Sequence, residues 1–566
     1  MSTKPLVLDR RSFLGALATI PAAASIVGCG PVDDEDEDLL EGESSLAEGA
    51  AATSYVTLDL KKDCGAKGDG KTNDTSAFQE AARRIWAAGG GTLNIPAGTY
   101  IVGRQKKKTN PDAPGPFYQY EEIFTIDARE KHPTANKVIK VTKVAINGYG
   151  ATVRIASGLH YGGFNPRTGA PMDANAGMIK EENAAKIGRI FEIIACDGVS
   201  IRGLELDGNS PNLVLGGEWG DTGRQAAATG IVLEKCVSAS VIDVYTHHHG
   251  LDGITVSHHG APPETTQMHR LTRVISEYNG RQAMSWIGGR GLRCKDCKFN
   301  HTGRAINKGT GQPLMSKPLA GVDIEPNAGT KEKSSEGVFI SCEFVNNAGA
   351  GLLSSVGNGG WTTFEDCTFW GTTSYSLWLG HPGLKFVGCR VYGTAMNVSD
   401  GRSDDDPKPN PALATVFEDC DFEDKEWKDG KVRRAGVLYE IPLKKDGTSH
   451  SAGATFRNCR FKANKVRGLL VKDRTSRENF IGCTFVHGHE LGAGDYQSSF
   501  EGSTFTSCHF KETTGVGTKN YRIDLDNVVV RVPPAGAQPT TVDGPRVHWR
   551  TASGATGTIK PGTYTT

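Results

Sequence analysis

The sequence has no net charge, few cysteines and no long hydrophobic run. Its 64 Lys and Arg residues balance 64 Asp and Glu residues, which argues against nucleic acid as a partner because that partner normally needs a clustered basic face. Thirteen cysteines in 566 residues are too few for a disulfide scaffold, and the number is odd. The apolar stretch from Phe13 to Gly28 is too short for a stable transmembrane span. The 71 glycines indicate a globular chain rich in turns.

The first 54 residues resemble an export signal followed by a spacer. Residues 9–15, Asp-Arg-Arg-Ser-Phe-Leu-Gly, match a twin-arginine pattern, and residues 26–29 resemble a bacterial lipobox with Cys29 as the lipidated residue. Residues 30–54 are acidic and lack aromatic side chains, which is typical of a solvated, disordered linker. We therefore expect a lipoprotein exported by the twin-arginine route and anchored at the periplasmic or cell surface. Its only expected membrane contact is that lipid.

The acidic spacer hides the charge of the remaining chain. Residues 55–566 carry 61 Lys and Arg against 54 Asp and Glu, a net charge of +7. A weakly basic domain of this kind suits a polyanionic partner.

A short Cys-x-Phe repeat is the strongest structural signal in the chain. Successive cysteines of the repeat are 45, 25, 22, 31, 39, 24 and 25 residues apart. A base period of 22–25 residues with loop insertions fits one coil of a parallel β-helix, and the segments alternate apolar and polar residues as strands do. The repeat cysteines are Cys297, Cys342, Cys367, Cys389, Cys420, Cys459, Cys483 and Cys508.

In each repeat the Cys lies two residues before the Phe, or before Val391 in the repeat of Cys389, so we expect both on one strand, pointing inward and stacking coil upon coil. Free Cys packs as a small apolar group, and we expect these thiols to be unpaired. The domain organisation that follows is a signal at 1–29, a linker at 30–54, a β-helix at 55–515 and a C-terminal cap or tail at 516–566. We expect a monomer.

The start of the β-helix carries a family resemblance. Residues 63–78 and 89–100, which include Gly65-Ala-Lys-Gly-Asp-Gly70 and Gly89-Gly-Gly-Thr92, resemble the opening of pectate-lyase-like proteins of the pectin-lyase superfamily. The resemblance implies an all-β fold, a right-handed parallel β-helix, and points less strongly to an activity on polysaccharide. Asp74 or Thr75 can cap a helix that ends at the glycines of 89–91, and this helix would cover the first coil.

Two acids at the centre of the repeat region form the candidate site. Aligning three successive coils pairs the strands 252–256, 282–286 and 322–326, so Asp323 and Glu325 project outward from the third strand. In this alignment their neighbours on the preceding coils are Gly253 with Thr255 and Ala283 with Ser285, which form a floor of small residues. Insertions at 104–135, 209–224 and 307–319 would form the walls of a groove.

The acid pair is compatible with two chemistries. Residues i and i+2 of a strand are about 6–7 Å apart, near the lower limit of the carboxyl separation in inverting glycosidases. Alternatively Asp252, Asp323 and Glu325 could hold Ca²⁺, which would neutralise a uronate and allow a base to remove the adjacent proton. Arg281 is the candidate base, and His249 represents six histidines between 247 and 269 as a second candidate.

The predicted function is therefore action on a polysaccharide. A lyase that cleaves acidic, uronate-containing glycan by β-elimination is favoured, with an inverting glycoside hydrolase and a non-catalytic glycan-binding or adhesion scaffold as alternatives. Three further side chains are candidates for substrate binding, namely Trp219, Gln282 and Trp378. The two tryptophans are candidates because an exposed aromatic ring can stack on a sugar.

Overall fold

The computed structural model describes residues 55–173, 180–259, 266–327, 332–354, 357–399, 401–402, 408–428, 431, 437–441, 453–464, 468–471 and 478–487, and after 487 only the backbone of strands. The predicted export signal, Cys29 and the linker 30–54 lie outside these residues and stay predictions. Among the residues described, no helix is long and apolar enough to cross a membrane.

The chain winds into a right-handed parallel β-helix whose coils place their strands in stacked rows. One row is an eleven-stranded parallel sheet, here named the front sheet. Its strands are β1 (Phe124–Asp127), β2 (Gly188–Ile194), β3 (Ala228–Glu234), β4 (Asp252–Ser257), β5 (Gln282–Ile287), β6 (Val322–Ile324), β7 (Leu352–Ser354), β8 (Leu377–Leu379), β9 (Ala395–Asn397), β10 (Val437–Glu440) and β11 (Gly468–Val471).

The second sheet, here named the long sheet, has 29 strands in two rows. The first row contains Val56–Asp59, Gly91–Asn94, Val144–Ile155, Val199–Asp207, Ser240–Ile242, Arg270–Thr272, Arg293–Lys295, Val338–Ile340, Thr363–Glu365, Lys385–Val387, Thr415–Glu418, Ala454–Arg457, Asn479–Ile481, Thr504–Thr506 and Val529–Arg531. Val144–Ile155 and Val199–Asp207 are long enough to enter both rows. The second row adds Asp69–Asn73, Gly98–Val102, Tyr245–His247, Ile275–Glu277, Lys298–Asn300, Glu343–Val345, Thr368–Trp370, Arg390–Tyr392, Asp421–Glu423, Arg460–Ala463, Thr484–His487, His509–Glu512, Thr540–Asp543 and Gly562–Tyr564.

The remaining elements are short and lie in loops and at the ends. They are the strands Gln105–Lys107, Tyr118–Tyr120, His160–Gly163, Ala184–Ala185, Val214–Leu215, Gly289–Arg290, Lys333–Ser335, Asn358–Gly360, Tyr496–Ser499, Tyr521–Asp524, Val547–Arg550 and Thr556–Ile559, and the 3-10 turns Glu181–Asn183, Ser210–Asn212 and Pro411–Leu413. The segment 104–135, expected to be an insertion, includes a hairpin and also the first strand of the front sheet.

Parallel pairing continues past residue 515, where the sequence analysis placed the end of the β-helix. Tyr521–Asp524 pairs in parallel with Tyr496–Ser499, and Val547–Arg550 pairs in parallel with Tyr521–Asp524. The pairing becomes antiparallel only at Thr556–Ile559 and Gly562–Tyr564. These last two strands occupy an edge that would otherwise offer unpaired backbone groups.

Two ladders of phenylalanine fill the interior. Phe339, Phe364, Phe386 and Phe417 are fully buried, and neighbouring rings stack with centroids 4.8–4.9 Å apart. This spacing equals the distance between adjacent strands of a sheet, so each ring lies directly above the ring of the previous coil. A second ladder includes the repeat residues, as in the pair Phe422 and Phe461 at 4.6 Å.

The repeat cysteines are free and buried from Cys297 to Cys483, as predicted, while Cys508 lies outside the described residues. They are not on strands, however. Each lies at the bend between the two rows of the long sheet, so the inward direction of Cys and Phe does not come from strand alternation. The residue before the Cys turns the chain, with left-handed φ angles at Asp296 (55°), Ser341 (52°) and Asp366 (51°).

Each thiol of this ladder contacts the coil before it. Cys367 Sγ donates to the carbonyl oxygen of Phe339 at 3.4 Å, and Cys389 Sγ donates to that of Phe364 at 3.3 Å. Burial raises the pKa of Cys367 well above its ordinary value, so the thiol keeps its proton. The thiols therefore donate to carbonyl groups of the preceding coil and do not form disulfides.

The single α-helix of the described residues, α1 (Thr75–Ala87), covers the first coil. Its buried face includes Phe78, Ala81, Ala82 and Ile85, as the apolar spacing predicts. Asp74 precedes the helix but does not cap it. Its carboxylate instead accepts the backbone N–H groups of residues 67 and 68 at 2.8 and 3.0 Å. The helix ends before Gly89, whose left-handed φ of 70° is incompatible with a continuing α-helix.

We expect the phenylalanine ladder to dominate stability. Phe364→Ala should lower the free energy of unfolding by about 3–5 kcal/mol, because it leaves a cavity between two stacked rings. Thr363→Ala, on the opposite face of the same strand, should change the same quantity by less than about 0.5 kcal/mol. Denaturant titration followed by circular dichroism measures both values. Equal losses in the two variants would contradict an interior held by ring stacking.

Candidate functional site

The candidate acids lie on the outer face of the front sheet. Ser285 of β5 is the register partner of Thr255 in β4 and of Asp323 in β6. The sequence alignment placed Ala283 beside Asp323 and Ser285 beside Glu325, so the register between β5 and β6 differs from it by two residues. A shift of two leaves every side chain on its predicted face, because the strand period is two.

The predicted floor of small residues is not present. Gly253 faces the interior, where a Cβ atom would contact the side chains of Ser276 and Asn279, and Ala283 is fully buried. Each of the strands β4 and β5 therefore has two consecutive residues that face inward. These are Gly253 and Ile254 in β4, and Ala283 and Met284 in β5. The residue before each pair, Asp252 or Gln282, consequently faces outward, and these two residues are register partners. The floor is polar.

Arg281 and Asp252 form the central ion pair of this floor. Arg281 Nε donates to Asp252 Oδ1 at 2.8 Å and Arg281 Nη2 donates to Oδ2 at 2.6 Å, the two-pronged geometry that planar guanidinium and carboxylate groups favour. Asp252 is 1% exposed, whereas the Arg281 side chain is 18% exposed. Arg281 Nη1 has no hydrogen-bond partner among the described residues.

Ser285 and Gln282 connect this ion pair to the acids of β6. Ser285 Oγ donates to Asp252 Oδ2 at 3.0 Å and also contacts Gln282 Oε1. Gln282 Nε2 in turn donates to Asp323 Oδ2 at 2.6 Å. The side chains of three successive coils therefore form one hydrogen-bonded network.

Asp323 and Glu325 differ in exposure. Asp323 is 2% exposed, whereas Glu325 is half-buried. Burial raises the pKa of Asp323 well above its ordinary value, and the nearby Glu325 carboxylate raises it further, while Arg281 opposes both effects. The protonated form of Asp323 is therefore favoured relative to an exposed aspartate.

Arg281 does not suit the role of base that the sequence analysis gave it. Burial disfavours its charge, but the adjacent Asp252 carboxylate outweighs burial and raises the pKa of the guanidinium above its ordinary value. A guanidinium in this state remains a cation. Its position suits the neutralisation of an anionic group of a substrate.

His249 is also not placed for catalysis. Its side chain is 1% exposed, and Nε2 lies 2.9 Å from the hydroxyl of Thr246, which is fully buried. Burial lowers the pKa of His249 to about 3, helped by the neighbouring His247. The ring is a neutral structural group, and the clustering of histidines in the sequence did not reveal this.

The three predicted substrate-binding residues have different surroundings. Gln282 is fully buried and positions Asp323 rather than facing a substrate. Trp378 is half-buried on the outer face of β8. It occupies the same register position as Asp323, two strands further along the front sheet, with Leu353 between them. Trp219 is half-buried in a loop, with its Nε1 donating to the carbonyl of residue 180 at 2.9 Å.

Two loops form a wall beside the ion pair. Lys317 N donates to Thr222 O at 3.0 Å, and Ser316 Oγ donates to Arg224 O at 2.6 Å, so the predicted insertions 209–224 and 307–319 pack on each other. Ser316 N also donates to the carbonyl of residue 280, directly before Arg281. The wall is therefore fixed to the coil that carries the cation.

Tyr161 is a residue of this site that the sequence analysis missed. Tyr161 is fully buried, and its hydroxyl donates to the carbonyls of Arg224 and Ala226 at 2.9 and 3.1 Å. Burial raises the pKa of Tyr161, and the nearby Asp252 carboxylate raises it further. No repeat or motif marks this tyrosine, which comes from a loop some ninety residues before β4.

The predicted Ca²⁺ ligands do not form a compact set. Both oxygens of Asp252 are bonded to Arg281, and a cation there would compete with the guanidinium. In the part of the chain described, the only group of three or more His, Cys, Asp or Glu residues with ligand atoms within 4.8 Å of one another is Asp207, His247 and His248. Asp252, Asp323 and Glu325 do not form such a group. The donor set therefore does not fit the Ca²⁺ site that we expected.

Comparison with known proteins gives short or distant likenesses. No family model matches the chain. A stretch of 41 residues is 58% identical to alginate lyase 7 and 56% identical to mannuronan C5-epimerase AlgE5, both of Azotobacter vinelandii. The stretch is 7% of this chain and only 5% and 4% of those proteins.

Solved structures are similar to the chain only at low sequence identity. The A-module of mannuronan C-5 epimerase AlgE4 from Azotobacter vinelandii is 14% identical with a TM-score of 0.38, covering 86% of this chain and 100% of that one. The tailspike protein gp49 of Pseudomonas phage LKA1 is 12% identical with a TM-score of 0.41, covering 86% and 84%. Likenesses at this level carry no conclusion about function.

The buried state of His249 predicts a pH dependence of stability. As the pH falls below about 6.5, the unfolded chain protonates this residue, but the folded chain does not until the pH approaches 3. The folded state therefore loses stability on acidification, by about 2 kcal/mol at pH 5 from this residue. We expect His249→Gln to reduce the loss between pH 7 and pH 5 by that amount, as measured by denaturant unfolding.

The matched control is His259→Gln, because the His259 side chain is 42% exposed. This variant should lose as much stability as the unmodified protein between the two pH values. An undiminished loss in His249→Gln would mean that His249 titrates in the folded protein.

Proposed function

We propose that this protein cleaves an acidic, uronate-containing polysaccharide by β-elimination on the outer face of the front sheet. The observation that carries the proposal is the buried Asp323, two residues before Glu325 and connected through Gln282 and Ser285 to the Arg281–Asp252 ion pair. Elimination next to a uronate needs a cation for the carboxylate, a base for the proton α to it and an acid for the leaving oxygen. The network contains groups suited to each role.

Arg281 is the group that would neutralise the uronate. Asp252 fixes the guanidinium by two hydrogen bonds and leaves Nη1 without a partner in the described residues. A substrate carboxylate at Nη1 would be held by a charge-assisted hydrogen bond. Neutralising that carboxylate lowers the barrier to removing the adjacent proton, because the negative charge that develops is then stabilised.

The carboxyl pair would transfer the protons. Glu325 is the more exposed member and would remove the proton α to the uronate carboxylate. The electron pair of that C–H bond forms the new double bond, and the bond to the glycosidic oxygen β to the carboxylate breaks. The proton held on Asp323 then passes to the departing oxygen, which completes the step without water.

The cation beside Asp252 favours elimination over inverting hydrolysis. Elimination needs a group that neutralises the uronate carboxylate, and the Arg281 guanidinium suits that role. An inverting glycosidase has no such requirement but needs room for a water between its two carboxyl groups.

Trp378 offers a sugar-stacking position along the same face. It is two strands beyond Asp323 in the same register column, or about 10 Å at the spacing of neighbouring strands. That distance corresponds to about two sugar units of an extended polymer, so the chain would cross the strands. The +7 charge of residues 55–566 adds a modest attraction for a polyanion.

Epimerisation of the uronate is a second candidate function. It begins with removal of the same proton but returns one to the opposite face instead of breaking the glycosidic bond. It is favoured by the 41-residue likeness to mannuronan C5-epimerases, while the likeness of the same length to an alginate lyase favours elimination. Alginate-type polymers are therefore the first substrates to test.

The full chain should release unsaturated uronate from mannuronan, guluronan or polygalacturonate, which ultraviolet absorbance detects. Glu325→Gln and Asp323→Asn should each lower kcat by about 10²–10⁴-fold, because each removes a proton-transfer group. Glu336→Gln, whose exposed carboxylate pairs with Arg290, is the matched control and should leave kcat unchanged.

The products distinguish the alternatives. New reducing ends without ultraviolet absorbance would indicate hydrolysis and contradict the lyase. Changed sugar composition at constant chain length, measured by proton nuclear magnetic resonance, would indicate the epimerase. Polymer binding that persists without any turnover would indicate a binding scaffold and contradict both enzymatic functions.

A further inference from the structure

A second cluster of ligand-type side chains lies on the long sheet, away from the acids of the front sheet. Asp207 ends the strand Val199–Asp207, and its register partner on the next coil is His247, which ends Tyr245–His247. His248 follows with a left-handed φ of 55°. This turn brings the ring of His248 back to the ring of His247 instead of continuing the strand.

The three side chains place their donor atoms together. His247 Nδ1 lies 2.7 Å from His248 Nδ1 and 3.8 Å from Asp207 Oδ1, and one donor atom of each residue lies within 4.8 Å of the others. Ligands at about 2.0–2.1 Å from a tetrahedral metal ion are about 3.3 Å apart. The observed separations lie on both sides of that value, so small side-chain rotations suffice to surround an ion.

The surroundings of His247 match those of a metal-bound histidine. Its second ring nitrogen, Nε2, lies 3.2 Å from Glu205 Oε1. A carboxylate at this position fixes the tautomer that exposes the other nitrogen to a metal. Metal-ligating histidines almost always donate their second ring N–H to a carboxylate, a backbone carbonyl or water. Glu205 is itself held by the hydroxyl of Thr152 at 2.7 Å.

The other two ligands are also held in place. Arg154 Nε donates to Asp207 Oδ2 at 2.7 Å, which directs the other oxygen, Oδ1, toward His247. The ring of His248 stacks on Tyr278, with centroids 5.1 Å apart and planes 9° from parallel. The side chains of Asp207 and His247 are 13% and 9% exposed, so an ion could enter from solvent.

We propose that Asp207, His247 and His248 bind a divalent transition-metal ion such as Zn²⁺. Two imidazoles and one carboxylate suit such ions better than Ca²⁺ or Mg²⁺, which prefer oxygen ligands. Three protein ligands leave one position for water. The ion would connect two successive coils, because Asp207 and His247 lie on neighbouring strands.

The test is zinc binding by the full chain without a polyhistidine tag. After removal of metal with a chelator, isothermal titration with ZnSO₄ and elemental analysis should give one tightly bound ion per chain. His247→Ala and His248→Ala should each weaken binding by at least about 100-fold, and circular dichroism should confirm that both variants are folded. His259→Ala, a histidine of the next coil region that pairs with Glu332, should bind zinc as the unmodified chain does.

A milder variant separates ligation from folding. Glu205→Gln keeps all three ligands and should weaken zinc binding by about 10–100-fold, as the loss of an outer carboxylate does at other metal sites. Absence of tight binding by the unmodified chain would overturn the proposal. Equal binding by the His247→Ala and His248→Ala variants would overturn it too, because the ion would then be bound elsewhere.

Discussion

Parallel backbone pairing between successive coils is the constraint on which the whole structure depends. Each coil must place its strands in register with the coil before it, at the spacing that backbone hydrogen bonds set. Inside, this repeats Phe above Phe and Cys above Cys, with rings 4.8–4.9 Å apart. Outside, the same repetition brings Asp252, Gln282 and Asp323 from three distant parts of the sequence into one network.

The outer network is an exception to the rule that polar groups of a strand face water. Asp252 and Asp323 are almost completely buried although they lie on the outer face of the front sheet. Burial of a carboxylate is costly unless it is paired or protonated. Asp252 is paired with Arg281, whereas burial raises the pKa of Asp323 and favours its protonated form. The two acids therefore meet the same constraint in opposite ways, and this difference gives them different chemistry.

The sequence contains most of the fold but only part of the site. The recurrence of Cys-x-Phe predicts the coils, the buried thiols and the inward rings, and the apolar spacing predicts the buried face of α1. Strand alternation also predicts that Asp323 faces outward. It does not predict the register between β5 and β6, because a shift of two residues preserves every face, nor the consecutive inward residues Gly253 and Ile254 that turn Asp252 outward.

Loop residues and histidines were beyond sequence reasoning for a different reason. Tyr161 reaches the site through tertiary contacts that no local pattern encodes. The histidines of 247–249 look alike in the sequence, yet one faces the interior and two face each other across a left-handed turn. Their separation depends on the left-handed φ angle at His248, a conformation that is uncommon for any residue other than glycine.

The bend before each buried cysteine affects how such a chain can change over time. The residues at this bend include Asp, Ser, Gly and Asn, which adopt left-handed backbone more readily than β-branched residues. A duplicated coil would fit the stack if it kept this bend residue, the thiol and the two inward rings, whatever its outward side chains were. The fold thus depends on a few inward positions in each coil, and the outward residues can be substituted without disturbing it.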